Sequence, residues 1–324
     1  KMKVGIIGAG SIAGTMAGTI REMDCAQNYA VAARDYGRAA EFAQTYGFEK
    51  AYGSYEELVE DAGVELVYIA TPHSHHYEHI KLCLNHGKHV LCEKSFTVNE
   101  SQAREVLALA REKKLLLTEA IWTRYMPMRK TLDSVLSSGV IGRPYMLTAN
   151  LGYIISGKER IMRPELAGGA LLDVGIYPLN FASMVFGDEV DSITGTAVMT
   201  ETGVDAQNSI TITYKDGKMA ALCSSAMGLS DRRGIIYGDN GFIEVENINN
   251  CEGIRVYDRS RNMIASYDTP KQISGYEYEV EACLRAIKEG ALECPEMPHE
   301  ETLRMMGWMD ELRRQWGLVY PMER

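Results

Sequence analysis

The chain has 324 residues, enough for about two domains, and its 46% hydrophobic and 24% charged composition fits a globular protein and excludes disorder. A net charge of -10 and a pI of about 5.3 argue against nucleic acid and anionic membranes as partners, since both are negative. No apolar run of about 18 residues is read in the chain, and no signal peptide is expected at its start; Lys1 ahead of Met2 reads as an added residue. The 7 cysteines (Cys25, Cys83, Cys92, Cys223, Cys251, Cys283, Cys294) include no C-x-x-C pair. An odd number at irregular spacing suits free thiols in a reducing cytoplasm, so a cytoplasmic location is expected.

Residues 4–7 form a short apolar run that reads as a buried strand. It leads into Gly8-x-Gly10-x-x-Ala13 and then a helical pattern, the dinucleotide-binding fingerprint in its proper setting. Gly8 permits the tight turn, Gly10 lets a pyrophosphate approach the backbone, and Ala13 lets helix and strand pack closely. The N–H groups that open the helix, at Ser11 and Ile12, then face the phosphates. Residues 29–34 read as the second strand. Enzymes that use NAD usually end this strand with an acid for the ribose 2′-hydroxyl. Here Ala33 and Arg34 stand in that place and Arg38 follows one turn later, which favours the 2′-phosphate of NADP. Asp35 keeps NAD open if the strand runs one residue further, and the two arginines also read as a solvated helix start.

Residues 37–46 read as a helix, 51–53 as a short extended piece, and Ser54-x-x-Glu57 as a capping box. The strand at 66–70 stops at Thr71-Pro72. His73, His75, His76 and His79 follow, with His75 and His79 on one helical face. Without H-E-x-x-H or a nearby acid or cysteine, no metal is expected; these histidines open a helix beside the cofactor or are simply exposed. A helix at 78–86 closes at Gly87. The strand at 88–92 ends in Glu93-Lys94-Ser95, a charged pair where open α/β sheets bind ligands. A helix at 98–113 and a strand at 115–120 complete the alternation. The expected fold is α/β, with an N-terminal Rossmann domain, a doubly wound parallel sheet, over 1–121.

After Ile121 the texture changes. A helix at 128–138 precedes runs that read as antiparallel strands at 145–152, 191–200, 208–214, 219–225, 233–237, 242–246 and 254–257, with turns at Asp216-Gly217 and Asp239-Asn240-Gly241. Residues 122–324 are therefore expected to form a C-terminal α/β domain on an open, mainly antiparallel sheet. Helices at 276–289 and 300–316 end it, the last expected to pack back across the domains. Within it, Gly168-Gly169 lead into an apolar stretch carrying Asp173 and Tyr177 at i and i+4, which a helix would aim to one side. Two readings stand: a reactive pair, or a helix N-cap and a core phenol.

The Gly8 fingerprint, Thr71-Pro72 with His76, Glu93-Lys94, and Gly168-Gly169-Ala170-Leu171-Leu172-Asp173-x-Gly175-x-Tyr177 together resemble the glucose–fructose oxidoreductase / inositol dehydrogenase (Gfo/Idh/MocA) family. Glu119 to Tyr125 and the tyrosine at 177 most resemble its dimeric dihydrodiol dehydrogenase and NADP-dependent D-xylose dehydrogenase branch. The resemblance implies reversible oxidation of a sugar, cyclic polyol or trans-dihydrodiol hydroxyl, with hydride passing to NADP or NAD. Carried over by position, it implies Lys94 beside the nicotinamide ribose and substrate hydroxyl, Tyr177 as the acid/base, Asp173 as the group that binds or orients substrate, and a homodimer or higher homo-oligomer through the C-terminal sheet. The chemistry agrees: a phenol titrates at about 10, and an ammonium beside it favours the phenolate. Trp122, Arg124 and Tyr153 are candidate pocket walls. Ser95 departs from the family's usual proline. Two alternatives remain: a nucleotide-binding sugar sensor without catalysis, and an enzyme with tightly held NAD acting on glycosides in a redox-neutral cycle.

Overall fold

The computed structural model describes all 324 residues. In chain order the first elements are β1 (Met2–Ile7), α1 (Ser11–Arg21), β2 (Ala26–Ala32), α2 (Tyr36–Tyr46), β3 (Lys50–Tyr52), α3 (Tyr55–Glu60), β4 (Leu66–Ile69), α4 (His76–Asn85), β5 (His89–Glu93), α5 (Glu100–Lys113) and β6 (Leu117–Ala120). Then come α6 (Pro127–Ser137), β7 (Pro144–Gly152), α7 (Glu159–Met162), α8 (Ile176–Phe186), β8 (Val190–Met199), β9 (Asp205–Tyr214), β10 (Met219–Ser225), β11 (Gly234–Gly238), β12 (Gly241–Val245), β13 (Gly253–Asp258), β14 (Met263–Asp268), α9 (Glu277–Glu289) and α10 (His299–Trp316).

The chain divides into two compact units, Lys1–Tyr125 with Gln272–Met306, and Met126–Lys271 with Gly307–Arg324. The sequence reading gave everything after Ile121 to the second domain. Residues 272–306, carrying α9 and the start of α10, group instead with the first. The reason is packing rather than local pattern: α9 lies on β5, and the His299 ring sits 2.7 Å from the Leu117 carbonyl of β6.

In the first unit the sheet order is β3-β2-β1-β4-β5-β6, all parallel. β4 and most of β1, β2 and β5 are buried, as the unbroken apolar runs required. Strand order reverses between β1 and β4, so the crevice for a ligand opens at their carboxyl ends. In the second unit eight strands run β14-β13-β12-β11-β7-β10-β9-β8. Alternation along β9 and β10 buries one face, and Gly217 (φ +92°) and Gly241 (φ +147°) make the two expected hairpin turns. Three points differ from the sequence reading. β14 went unread, its residues being mostly exposed. β7 and β10, both read as antiparallel, pair in parallel with each other, which the long connection through α8, β8 and β9 allows. The stretch Pro164–Phe186 is also long and apolar enough to cross a membrane, contrary to the reading that no such run exists; 83% of that window is buried.

Candidate active site

The glycine turn behaves as its residues dictate. Gly8 has φ +107°, and a Cβ there would stand 3.0 Å from the carbonyl of Ala70, the residue just after β4. Gly10 is the exposed N-cap of α1, with nothing within 4 Å of where a Cβ would stand. No side chain caps α1 and no acid lies in its first turn. The opening N–H groups at Ser11 and Ile12 are thus free of competitors for an anion. These residues fit the pyrophosphate of a dinucleotide.

Beyond β2, Arg34 and Arg38 are exposed, and Arg38 donates to the Ala9 carbonyl at 3.4 Å, over the glycine turn. The Asp35 carboxylate accepts from the Gly37 N–H at 2.8 Å as the N-cap of α2. The acid that kept NAD open is therefore engaged in helix capping. Two exposed guanidinium groups stand beside it instead, which suits an additional phosphate.

Thr71 and His76 belong to one buckle. His76 is fully buried; its Nε2 lies 2.8 Å from the Thr71 carbonyl and its Nδ1 2.7 Å from the Ser95 carbonyl. Burial pushes this ring down to about 4. It joins the loop after β4 to the loop after β5 and so fixes Lys94 between Glu93 and Ser95. Tyr68 on β4, fully buried, donates to the Glu93 carboxylate, and the Lys94 N–H donates to its other oxygen at 3.2 Å. Burial and Glu93 both push the Tyr68 phenol up. From α9, the fully buried Glu279 is held well above the carboxylate range by burial first and by Glu93 second, which favours its neutral form. The sequence reading found Glu93 and Lys94 but missed Tyr68 and Glu279. Tyr68 carried no signal apart from lying in a strand, and Glu279 sits far along the chain.

Trp122 is buried and stacks on Tyr276, ring centroids 3.9 Å apart and 16° from parallel. Arg124 is buried and donates to Glu301 at 3.1 Å. Both candidate pocket residues are thus packed within the first unit.

In the second unit the paired glycines are required by close approach. A Cβ at Gly168 would fall 2.3 Å from the Ile161 carbonyl, and one at Gly169 (φ +102°) 2.2 Å from the Asp205 carboxylate. Asp205 accepts from the Leu171 N–H at 2.7 Å, and burial pushes it up to about 6. This anchor starts a π-helical turn, Leu171–Gly175, that runs into α8. Asp173 lies inside that turn, so the N-cap reading fails; the residue at the cap of α8 is Gly175. Asp173 is buried and pairs with Arg160 of α7 at 2.6 Å, a partner the sequence did not suggest. Tyr177 is buried in the first turn of α8. Tyr153, after β7, accepts from the Asn249 amide at 2.7 Å.

With that geometry in hand, known proteins bear directly on the chain. Residues 2–121 match the family model described as an oxidoreductase family with an NAD-binding Rossmann fold, and residues 130–244 match the GFO/IDH/MocA C-terminal domain. The chain belongs to the Gfo/Idh/MocA oxidoreductases. It is an NAD(P)-dependent dehydrogenase or reductase acting on CH–OH groups. Among its relatives, trans-1,2-dihydrobenzene-1,2-diol dehydrogenase of Xenopus tropicalis is 34% identical over 98% of this chain and 99% of its own length. The Homo sapiens enzyme of that name is 34% identical over 100% of this chain and 99% of its own. A similar solved structure is KijD10, a 3-ketoreductase from Actinomadura kijaniata in complex with NADP and TDP-benzene, with TM-score 0.89 at 24% identity over 97% of each chain. Aldose-aldose oxidoreductase from Caulobacter crescentus, complexed with glycerol, has TM-score 0.88 at 18% identity over 99% of each chain.

Proposed function

We propose that this member of the Gfo/Idh/MocA oxidoreductases moves a hydride between NADP and the hydroxyl or carbonyl carbon of a sugar, cyclic polyol or trans-dihydrodiol. The observation that carries the cofactor choice is the pair of exposed arginines after β2 with Asp35 engaged in capping. Support for the substrate class comes from full-length relatives named as dehydrogenases of a trans-diol. When bound, the nicotinamide accepts or donates the hydride. The chain's own part is the proton. We assign its transfer to Tyr177, the favourable charge to Lys94, and orientation of a substrate hydroxyl to Asp173. A sensor that only binds cofactor has no use for this set.

Alanine at Lys94 and phenylalanine at Tyr177, singly and together, test the assignment. Each single change is expected to lower kcat about 10²- to 10⁴-fold, with the double change costing less than the product of the singles. Near-normal kcat in both, assayed with NADPH against a panel of aldoses and diols, would refute it.

The second unit's open sheet suits a homodimer. Cross-strand neighbours Met219, Met146, Tyr237, Phe242, Tyr257 and Met263 form an apolar row over six strands. Phe242 stacks on Tyr257 at 4.7 Å, and Met146 and Met263 are 38% and 56% exposed. Exposed apolar rows of this extent mark association surfaces. Phe242→Glu is expected to yield monomer by light scattering; an unchanged mass distribution would remove this face from consideration.

A further inference from the structure

The adenosine side of the crevice holds one more group than the two arginines. Four segments contribute there: the loop after β2 with Arg34, the start of α2 with Arg38, which reaches the Ala9 carbonyl, the start of α3 with Tyr55 and Glu56, and the turn into α4 with His75 and, one turn on, His79. The Tyr55 and His79 rings meet edge to face with centroids 4.6 Å apart, and His75 and His79 rings lie 5.8 Å apart. The Thr71 hydroxyl and His79 Nδ1 are 2.8 Å apart, which fixes His79 inward. His75 is the exposed member of the pair. The Arg34 guanidinium acts on His75, His79 and Tyr55 alike, and Arg38 acts on Tyr55. One imidazole therefore stands at the surface within reach of the Arg34 charge, its ring beside that of His79 at the start of α4.

We propose that His75 is a specificity-determining residue for the cofactor, a titratable third cation that binds the adenosine 2′-phosphate together with Arg34 and Arg38. The idea rests on the NADP reading above. Without ligand, desolvation and then Arg34 hold His75 below the ordinary histidine range. A phosphate placed among these groups reverses the sign of the local field, so binding draws a proton onto the ring. His76 and His79 are unsuited to this role, because both are pushed to about 4, burial being the largest cause. The carboxylate on the same segment as Tyr55 is Glu56, and its charge reaches Tyr55. A cation added to an exposed phosphate site is worth about fivefold in affinity. Preference for NADP over NAD should then strengthen as pH falls toward neutrality and below.

Calorimetric titration with the oxidised cofactors tests this without turnover. From about pH 8 to about pH 6.5, NADP⁺ should bind about fivefold tighter while NAD⁺ affinity stays level. His75→Gln should lose that tightening, leaving a flat or reversed slope, and His75→Arg should bind NADP⁺ more tightly than the parent at about pH 8. The 2′-phosphate's own second proton, with a pKa of about 6, opposes the trend equally in all three proteins, so variants are read against the parent. An NADP⁺ slope unchanged in His75→Gln overturns the inference, as does an equal loss for both cofactors, which would mean ring packing on adenine. NAD⁺ binding tighter than NADP⁺ throughout would instead overturn the cofactor reading itself, and the role of His75 with it.

Discussion

Asp173 illustrates how much a single partner decides. It is a buried carboxylate held by an ion pair with Arg160 at 2.6 Å. Arg160 itself is partly exposed, so removing it need not disturb the core. Losing that cation removes one anchor of the Asp173 carboxylate. Arg160→Met is therefore expected to lower kcat/KM about tenfold while the unfolding midpoint changes little. An unchanged kcat/KM would show that this ion pair does not position Asp173 for the reaction. The sequence displayed Asp173 but not Arg160, because the two lie 13 positions apart, the latter on a short helix.

At the scale of an element, the Gly168-Gly169 turn sets where the helix bearing Asp173 and Tyr177 begins. Both glycines lie against fixed atoms, one a carbonyl and one a carboxylate already committed to the Leu171 N–H. Neither neighbour can swing aside without breaking a backbone hydrogen bond, since Ile161 O also accepts from the Gly169 N–H at 2.7 Å. Gly169→Ala adds an unfavourable positive φ to that collision. It is expected to destabilise the protein by about 2 kcal/mol or more, measured by denaturant unfolding. A loss within about 0.5 kcal/mol would mean the turn is softer than its contacts imply. From the sequence the glycine pair was visible as a turn; the reason for two glycines was not, because Asp205 and Ile161 meet them only in the folded unit.

Across the molecule, buried titratable groups pull stability in opposite directions with pH. His76 and His79 sit at about 4 in the folded protein against an ordinary 6.5, so the unfolded chain takes up their protons first and stability falls as pH drops through that interval. Glu119 is raised to about 7, burial being the largest cause and Arg124 opposing it. Its folded form takes the proton first, so its contribution is full below the ordinary 4.5 and is lost as pH rises through 7. The parent protein should therefore gain on Glu119→Gln by about 3 kcal/mol between about pH 8 and about pH 5, whatever the constant offset between them. Unfolding free energies at the two pH values give this difference directly; an equal gap at both would place Glu119 in contact with water.

Patterns with a short period were legible without coordinates. The apolar runs of β1, β4 and β5, the glycine fingerprint, the Ser54 cap that accepts from the Glu57 N–H at 3.2 Å, and the two glycine hairpins all depend on neighbours within a few residues. So did the family, since its motifs are local. Tertiary structure alone decided the rest. It returned α9 to the nucleotide-binding unit, set β7 and β10 in parallel, placed Glu279 beside Glu93, and paired Arg160 with Asp173. The division has one physical cause. Backbone hydrogen bonds and turn conformations are settled by adjacent residues, whereas the charge on a buried acid or imidazole is settled by whatever distant segment folds against it.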